Sequence, residues 1–129
     1  MAVTTQLTIT LPNRPGALAD LCSELAKRAV NIQAIHAVTT NAEGHVRVVA
    51  GQPETALRIC REQGWRVTEE DVLTVRVGDR PGSLGKLTRK LGAHGVNIMY
   101  AYGSITRGAT QALIVLGVAD AAAAARLVK

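Results

Sequence analysis

The sequence contains no phenylalanine, one tryptophan and two tyrosines, although hydrophobic residues make up 47% of its 129 residues. We therefore expect an aliphatic core built from Leu, Ile, Val and Ala. No stretch reaches the ~18 uninterrupted apolar residues of a membrane-spanning helix. The N-terminus also has neither the basic nor the apolar segment of a secretory signal peptide. The sequence thus predicts a cytoplasmic protein without a membrane segment.

Cysteine and histidine are scarce as well. Cys22 and Cys60 lie in predicted helices among apolar neighbours, as buried thiols in a reducing compartment do. The three histidines are scattered, no short Cys/His spacing suggests a metal site, and nothing resembles a nucleophile elbow or a phosphate loop. We expect a non-enzymatic protein with no cofactor and no metal. A small enzyme would need an active site shared between subunits.

The net charge of +5 at pH 7 is unevenly distributed along the chain. Residues 1–70 carry seven Lys/Arg and seven Asp/Glu, whereas residues 71–129 carry eight against three. Lys86, Arg89 and Lys90 share one face of a predicted helix, which is either a solvated face or a docking surface for an acidic partner or nucleic acid. No aromatic residue neighbours this cluster to stack on bases, so nucleic-acid binding is disfavoured.

One motif occurs twice at an offset of 66 residues. The matching segments are Asn13-Arg14-Pro15-Gly16-Ala17-Leu18 with Asp79-Arg80-Pro81-Gly82-Ser83-Leu84, Leu21 with Leu87, Val30-Asn31-Ile32 with Val96-Asn97-Ile98, and Gly51 with Gly117. Such matching predicts one supersecondary unit duplicated without a gap, with domains at 1–70 and 71–129. Units of that size are marginal alone, so they gain by packing against each other.

Hydrophobic periodicity and turn residues predict six elements in the first copy. They are a strand at 4–11, a helix at 17–28, strands at 31–39 and 45–51, a helix at 53–63 and a strand at 65–68. This order is the split βαβ, ferredoxin-like arrangement. The predicted fold class is therefore α+β, with antiparallel sheets that carry both helices on one face.

The second copy repeats this order without its last element. The predicted elements are a strand at 72–78, a helix at 83–92, strands at 96–106 and 109–117, and a helix at 119–128. Because no counterpart of the Trp65 strand follows, the segment Leu73–Val77 becomes a sheet edge. That edge is blunted by Arg76 and left in water, or it is filled by another segment or another chain. We take it as support for a homodimer.

The turn between the first strand and the first helix of each copy has the chemistry of a ligand site. The first N–H groups of a helix lack intrahelical partners, and the helix dipole favours an anion there. Gly16 and Gly82 permit close approach, while Asn13 and Asp79 can accept hydrogen bonds from helix-end N–H groups or from a ligand's ammonium. Such a turn suits a free amino acid, although Pro-Gly with Asn or Asp is also an ordinary strand-to-helix turn.

Two other pairs of residues have two interpretations each. Asn31 and Asn97 either satisfy the backbone of a turn or offer a donor and an acceptor to a small polar ligand. Tyr100 and Tyr102 share one face of a predicted strand, where they either pack under a partner sheet or line a pocket.

The repeated Arg-Pro-Gly turn, the leucines that follow it and the Val-Asn-Ile triplet resemble the signature of the ACT domain. The resemblance covers essentially the whole chain, as a tandem pair with no catalytic domain attached. It implies a βαββαβ fold and an amino-acid effector at the interface between ACT units, held by the Pro-Gly turn of one unit and the early second strand of its neighbour. The positions that it implies are Asn13, Arg14, Pro15, Gly16, Ala17, Leu18, Asn31, Ile32, Asp79, Arg80, Pro81, Gly82, Ser83, Leu84, Asn97 and Ile98.

The sequence therefore leads to the hypothesis of a regulatory module that binds a free amino acid. Its output would be a protein partner, namely an enzyme or a transcription complex, or its own assembly. The alternative is an ACT pair that has lost its ligand and serves as a dimerisation or docking scaffold, with the basic second half as the docking surface. The two turns differ at Asn13 and Asp79, so their pockets need not bind alike.

Overall fold

The computed structural model describes residues 1–104 and 108–127, and within these ranges the chain forms six strands and four helices. They are β1 (Ala2–Pro12), α1 (Ala17–Lys27), β2 (Ile32–Thr40), β3 (Glu43–Ala50), α2 (Pro53–Glu62), β4 (Arg66–Gly78), α3 (Ser83–Ala93), β5 (Ile98–Ser104), β6 (Gln111–Val118) and α4 (Ala121–Leu127). The predicted α+β class is confirmed. The predicted strand residues 105 and 106 and helix residue 128 lie outside the described ranges.

The chain divides into two compact units. The N-terminal unit comprises Thr5–Glu70, and the C-terminal unit comprises Asp71–Lys129 together with Met1–Thr4. Both β1 and β4 therefore contribute residues to each unit.

In the N-terminal unit the strand order is β2-β3-β1-β4, and β1 pairs antiparallel with β3 so that Leu7 faces Val48. Alternate residues of β1 point to the same face of the sheet, where they meet α1 and α2. This places both helices on one face, as predicted. The buried core is aliphatic and consists mainly of Leu7, Ile9, Leu11, Leu21, Leu25, Val46, Val48 and Ile59.

In the C-terminal unit, β4 pairs with β6, and β6 pairs with β5, both antiparallel. The core of this unit again lies between the sheet and its helices, and it includes Leu73, Val75, Leu91, Ile114, Leu116, Ala121 and Ala124. No strand follows α4 within the described residues.

The edge expected at Leu73–Val77 is covered by the chain's own first residues. β1 is the neighbour of β4 in the sheet, and Met1–Thr4 belong to the C-terminal unit. The hydroxyl oxygens of Thr4 and Thr74 lie 2.7 Å apart, at hydrogen-bonding distance. Of the open alternatives, the structure shows that another segment fills the edge. The homodimer remains a prediction, but an open edge no longer supports it.

Two sequence predictions about the repeat were wrong. The strands expected at 65–68 and 72–78 are one strand of 13 residues, β4, because the intervening Glu69-Glu70-Asp71 contains no Gly or Pro to stop it. Within the N-terminal unit, Thr8 donates a hydrogen bond of 2.5 Å from its hydroxyl to Glu70 Oε1, so this charged stretch is part of the sheet.

The second error concerns the offset, which changes along the repeat. Leu7 pairs with Val48 and Leu73 pairs with Leu116, so the first strands are 66 residues apart but their partners are 68 apart. The second copy therefore has two extra residues between β5 and β6. In consequence Gly117, which faces Tyr100, corresponds to Val49, which faces Ala34, and not to Gly51.

None of the helices within the described ranges has the length and apolar character needed to cross a membrane.

Candidate functional site

The first Pro-Gly turn connects the end of β1 to the start of α1. Gly16 has φ 86°, a left-handed conformation that glycine adopts without a steric penalty. The turn is closed by backbone hydrogen bonds from Arg14 N to Pro12 O at 3.0 Å and from Ala17 N to Arg14 O at 3.3 Å. No side chain caps the helix, so its first N–H groups remain oriented toward the turn.

Asn13 and Arg14 are held by neighbouring groups. Asn13 Nδ2 donates to the carbonyl oxygen of Asn41 at 2.9 Å, which links the turn to the β2–β3 hairpin. Of the two roles open to Asn13, capping of the helix is not present, and its amide nitrogen is instead directed toward that hairpin. Arg14 Nη2 lies 2.8 Å from Asp20 Oδ2, and Arg14 Nη1 donates to Pro15 O at 3.2 Å, so the guanidinium lies over the start of α1.

A cavity of about 130 Å³ adjoins this turn within the N-terminal unit. Four of the predicted site residues line it: Asn13, Arg14, Ala17 and Leu18. Its opposite wall is formed by hairpin residues that sequence reasoning missed, among them Val38, Thr39 and His45. The backbone bond from Asn13 N to Ala42 O at 2.9 Å brings the hairpin here. No motif marked these residues, because the contact depends on the antiparallel pairing of β1 and β3.

Asn31 and Ile32 lie at the other end of β2 from this cavity. Asn31 O accepts a hydrogen bond from Gly51 N at 2.8 Å, and Asn31 N donates to Gln52 Oε1 at 3.3 Å. Ile32 packs against the core. At about 3.3 Å per residue, the start of β2 is roughly 25 Å from the hairpin end. Within one unit, the structure therefore does not bring the two predicted halves of the site together.

The second Pro-Gly turn has the same backbone as the first. Gly82 has φ 90°, and Asp79 N donates to Thr110 O at 3.0 Å, as Asn13 N donates to Ala42 O. No side chain caps α3, so capping, one of the two roles open to Asp79, is not present. Lys86 stands where the first copy has Asp20, so Arg80 lacks the carboxylate that holds Arg14.

The remaining predicted residues of the second copy lie apart from one another. Arg80, Pro81 and Leu84 are exposed at the turn, whereas Asn97 and Ile98 lie at the start of β5. As in the first copy, the length of the strand separates its start from the Pro-Gly turn.

Tyr100 and Tyr102 form a stacked pair with ring centroids 6.5 Å apart and an interplanar angle of 15°. Both are half-buried, and they face Gly117 and Val115 of β6. Their packing is thus provided at least in part by their own unit.

The described residues include no group of three His, Cys, Asp or Glu side chains placed to hold a metal ion. Cys60 is buried in the core, and burial raises the pKa of its thiol to about 11. A thiol with that pKa is a poor nucleophile at neutral pH, because the thiolate is the reactive form.

The sequence profile of the family described as "ACT domain pair" matches residues 1–128 of the chain. A search of curated protein sequences gives no match. Among solved structures, a protein from Bacteroides thetaiotaomicron is similar with a TM-score of 0.89 and 26% sequence identity, over 97% of this chain and 85% of that one.

Two further similar structures are regulatory subunits of aspartate kinase. The subunit from Thermus thermophilus, in its ligand-free form, matches with a TM-score of 0.71 and 20% identity, over 98% of this chain and 97% of that one. The subunit from Thermus flavus matches with a TM-score of 0.66 and 18% identity, over 98% and 93%. At such identities the likeness concerns the fold alone. With the family profile spanning nearly its whole length, the chain belongs to the ACT domain pairs.

Proposed function

We propose that this ACT pair is a non-enzymatic regulatory module that binds a free amino acid beside its first Pro-Gly turn. One observation carries the proposal: the cavity of about 130 Å³ lies where an uncapped helix N-terminus meets the end of a hairpin. A helix N-terminus favours a carboxylate. The same cavity is small and has apolar walls, which suits a compact side chain.

Each part of an amino acid has a matching group in this cavity. The Ala17 N–H already donates to Arg14 O, so the carboxylate would accept hydrogen bonds from the N–H groups of Leu18 and Ala19. The ammonium would donate to the amide oxygen of Asn13 and the hydroxyl of Thr39. The side chain would contact Leu18 and Val38, which are 41% and 42% exposed at the cavity.

The open side of the cavity would be completed by an ACT unit of a second copy of the chain. Two apolar side chains left two-fifths exposed beside polar groups are suited to burial against such a unit. The residues predicted for that role are Asn31 and Ile32 or their counterparts Asn97 and Ile98. We include a homodimer and a cytoplasmic location in this proposal.

Regulation requires that the ligand bind one arrangement of the protein better than another. The similar aspartate kinase structures are regulatory subunits, which supports an enzyme as the partner that responds. The amino acid would then act by stabilising the arrangement that this partner recognises.

Calorimetric titration of the chain with each of the twenty amino acids tests the proposal. The decisive variant is Leu18→Asp, which places a negative charge in the first turn of α1. It should keep the fold, because acidic residues are favoured at that position, yet repel the ligand carboxylate and weaken binding by about tenfold or more. Leu84→Asp makes the same change in the second copy and serves as the matched control.

Binding by the wild type and by Leu84→Asp, but not by Leu18→Asp, would support the first turn as the site. Heat of binding for none of the twenty amino acids, or equal affinity in Leu18→Asp, would reject it. The first of these results would favour the scaffold alternative.

The distribution of ion pairs favours the scaffold as the second candidate function. The ion pairs shown among the described residues lie in the N-terminal unit: Arg14–Asp20, Lys27–Glu24, Arg28–Glu62 and Arg66–Glu43. In the C-terminal unit the cations Lys86, Arg89 and Lys90 are exposed. They form no ion pair with any described residue, so they are available to an acidic partner. Changing all three to Gln should abolish capture of such a partner and leave amino-acid binding unchanged.

A further inference from the structure

The C-terminal unit contains a second cavity, of about 440 Å³, that is separate from the Pro-Gly turns. Val75 and Val77 of β4 line it together with Leu87 of α3 and Ala125 of α4. Met1, Arg76 and Arg126 also line it. Cavities of 300–1,000 Å³ are typical of small-molecule sites, whereas a well-packed core leaves few voids larger than a water molecule.

The same place in the N-terminal unit is filled. The residues that correspond to Val75, Val77 and Leu87 are Ile9, Leu11 and Leu21, and they are only 0%, 3% and 0% exposed. In the C-terminal unit, Val77 and Leu87 are half-buried. The opening is therefore specific to one copy and does not follow from the ACT fold as such.

Two changes in sequence account for the opening. Three wall residues are smaller than their counterparts: Val75 replaces Ile9, Val77 replaces Leu11, and Ala125 replaces Leu57. In addition, Trp65 and Val67 pack against the core of the N-terminal unit. No described residue of the C-terminal unit places an indole at the corresponding position of its own core.

The charged residues that line the cavity within the described ranges are all basic. Of the described residues, Arg76 and Arg126 line it, and no acidic residue among them does. Both arginines are exposed, and neither forms a hydrogen bond or an ion pair within the described ranges. The acidic residue of the same helix region, Asp120, instead accepts a hydrogen bond from Ala123 N at 2.9 Å. Because Arg76 alternates with Val75 and Val77 along β4, its side chain points to the other face of the sheet. The guanidinium beside the apolar wall is therefore that of Arg126, and together they are complementary to an anion with an apolar body.

We propose that this cavity binds a small monocarboxylate with an aliphatic or aromatic body, a ligand class different from the α-amino acids. The body packs against Val77, Leu87 and Ala125, and the carboxylate pairs with Arg126. A free amino acid is excluded by its ammonium, which would meet the Arg126 guanidinium and apolar side chains without an acceptor.

Octanoate, used below its micellar concentration, is the probe, and octanol is its uncharged counterpart. Binding is followed by calorimetry and by methyl chemical shifts of Val75, Val77 and Leu87. Octanoate should bind one molecule per chain and shift these methyl groups. Octanol should bind about tenfold more weakly, because it lacks the charge-assisted hydrogen bond.

Two variants test the two halves of the site. Ala125→Leu restores the side chain of the N-terminal unit, fills the cavity and should abolish octanoate binding. Arg126→Gln removes the cation and should weaken octanoate by about tenfold without affecting octanol. Because Arg126 is exposed, Arg126→Gln should fold normally. It therefore tests octanoate binding even if Ala125→Leu does not fold. Arg58→Gln, at the corresponding position of α2, is the matched control and should bind like the wild type.

Equal octanoate binding by the wild type and Arg126→Gln would overturn the proposal, and so would the absence of binding to the wild type. A wild-type dimer that dissociates in Ala125→Leu would assign the cavity to a second copy of the chain and would overturn it as well. Leu18→Asp should leave octanoate binding unchanged, so this result is independent of amino-acid binding at the first turn.

Discussion

Tyr100 lies across the backbone of Gly117, its partner in the antiparallel pairing of β5 with β6. A Cβ atom at Gly117 would overlap the tyrosine ring. At the corresponding pair of the N-terminal unit, Ala34 faces Val49. In the C-terminal unit the larger side chain is on the first strand of the pair, β5, whereas in the N-terminal unit it is on the second, β3. Each pair therefore combines one large and one small residue, which fills the space between the strands.

This relationship predicts a strong coupling between the two positions. Gly117→Val should destabilise the protein by about 1–3 kcal/mol, because it overpacks a filled site. Adding Tyr100→Ala recreates the Ala–Val pair of the first copy and should recover most of that loss. Urea unfolding of the two single variants and the double variant gives the coupling energy. Purely additive effects would show that the ring does not lie over Gly117 in solution.

Gly82, at the start of α3, and Gly92, inside it, should respond in opposite ways to substitution by alanine. Gly82 has φ 90° and no neighbouring atom within 4 Å of a Cβ, so the cost of Gly82→Ala is backbone strain alone. We expect a loss of about 1 kcal/mol. Gly92 lies inside α3 with equally open surroundings, so Gly92→Ala should gain roughly 0.4–1 kcal/mol by reducing the entropy of the unfolded chain. Equal signs in thermal unfolding would contradict the assigned turn geometry.

Local sequence patterns were sufficient to predict the element order. The alternation of Leu7, Ile9 and Leu11, the leucine stripe of α1 and the turn residues Gly16 and Gly64 each fix an element through short-range physics. The length of β4 was not predictable in this way, because Glu69-Glu70-Asp71 looks like a polar linker. Its place in the sheet depends on pairing with β1, a contact between residues about sixty positions apart.

The candidate site was predicted only in part for the same reason. The Pro-Gly turn is a local motif, and Asn13, Arg14, Ala17 and Leu18 do line a cavity. The facing wall comes from the β2–β3 hairpin, which reaches the turn through antiparallel pairing. The second cavity was not predicted, since it results from smaller side chains in one copy, and one of these, Ala125 in place of Leu57, becomes visible only with the corrected offset of 68 residues.

Cys60 predicts a specific dependence of stability on pH. Burial raises the pKa of its thiol from 9.0 to about 11, so the folded state retains a proton that the unfolded state releases. The corresponding stabilisation is complete below pH 9 and is lost as the pH rises toward 11. Between these values the free energy of unfolding should fall by up to about 1.4 kcal/mol per pH unit.

The Cys60→Ala variant isolates this contribution. It creates a small cavity and lowers stability at every pH, but it removes the thiol titration. The difference between wild type and variant in urea unfolding should therefore shrink from pH 9 to pH 11. A constant difference over that interval would mean that the Cys60 thiol has an ordinary pKa in the folded protein.

The first residues of the chain cover the edge of β4. Removing them should therefore expose the backbone of β4 but not that of the other strands. Deleting residues 2–4 takes away the partner of Thr74, so the backbone of β4 near Leu73–Val77 loses its neighbour on that side. Hydrogen exchange should become faster in this segment, while the β2–β3 hairpin of the N-terminal unit keeps its protection. An exposed strand edge also favours pairing with another chain, so the deletion should increase self-association in sedimentation experiments.

Thr4→Ala distinguishes the contribution of the Thr4 hydroxyl from that of the strand pairing. It removes only the hydroxyl hydrogen bond to Thr74 and should cost about 0.5–1.5 kcal/mol without faster exchange in β4. Thr8→Ala, which removes the hydroxyl bonded to Glu70, makes the corresponding change within the N-terminal unit. If deletion of residues 2–4 left exchange at Leu73–Val77 unchanged, this edge would be protected by something other than β1, and a second chain would again be the leading explanation.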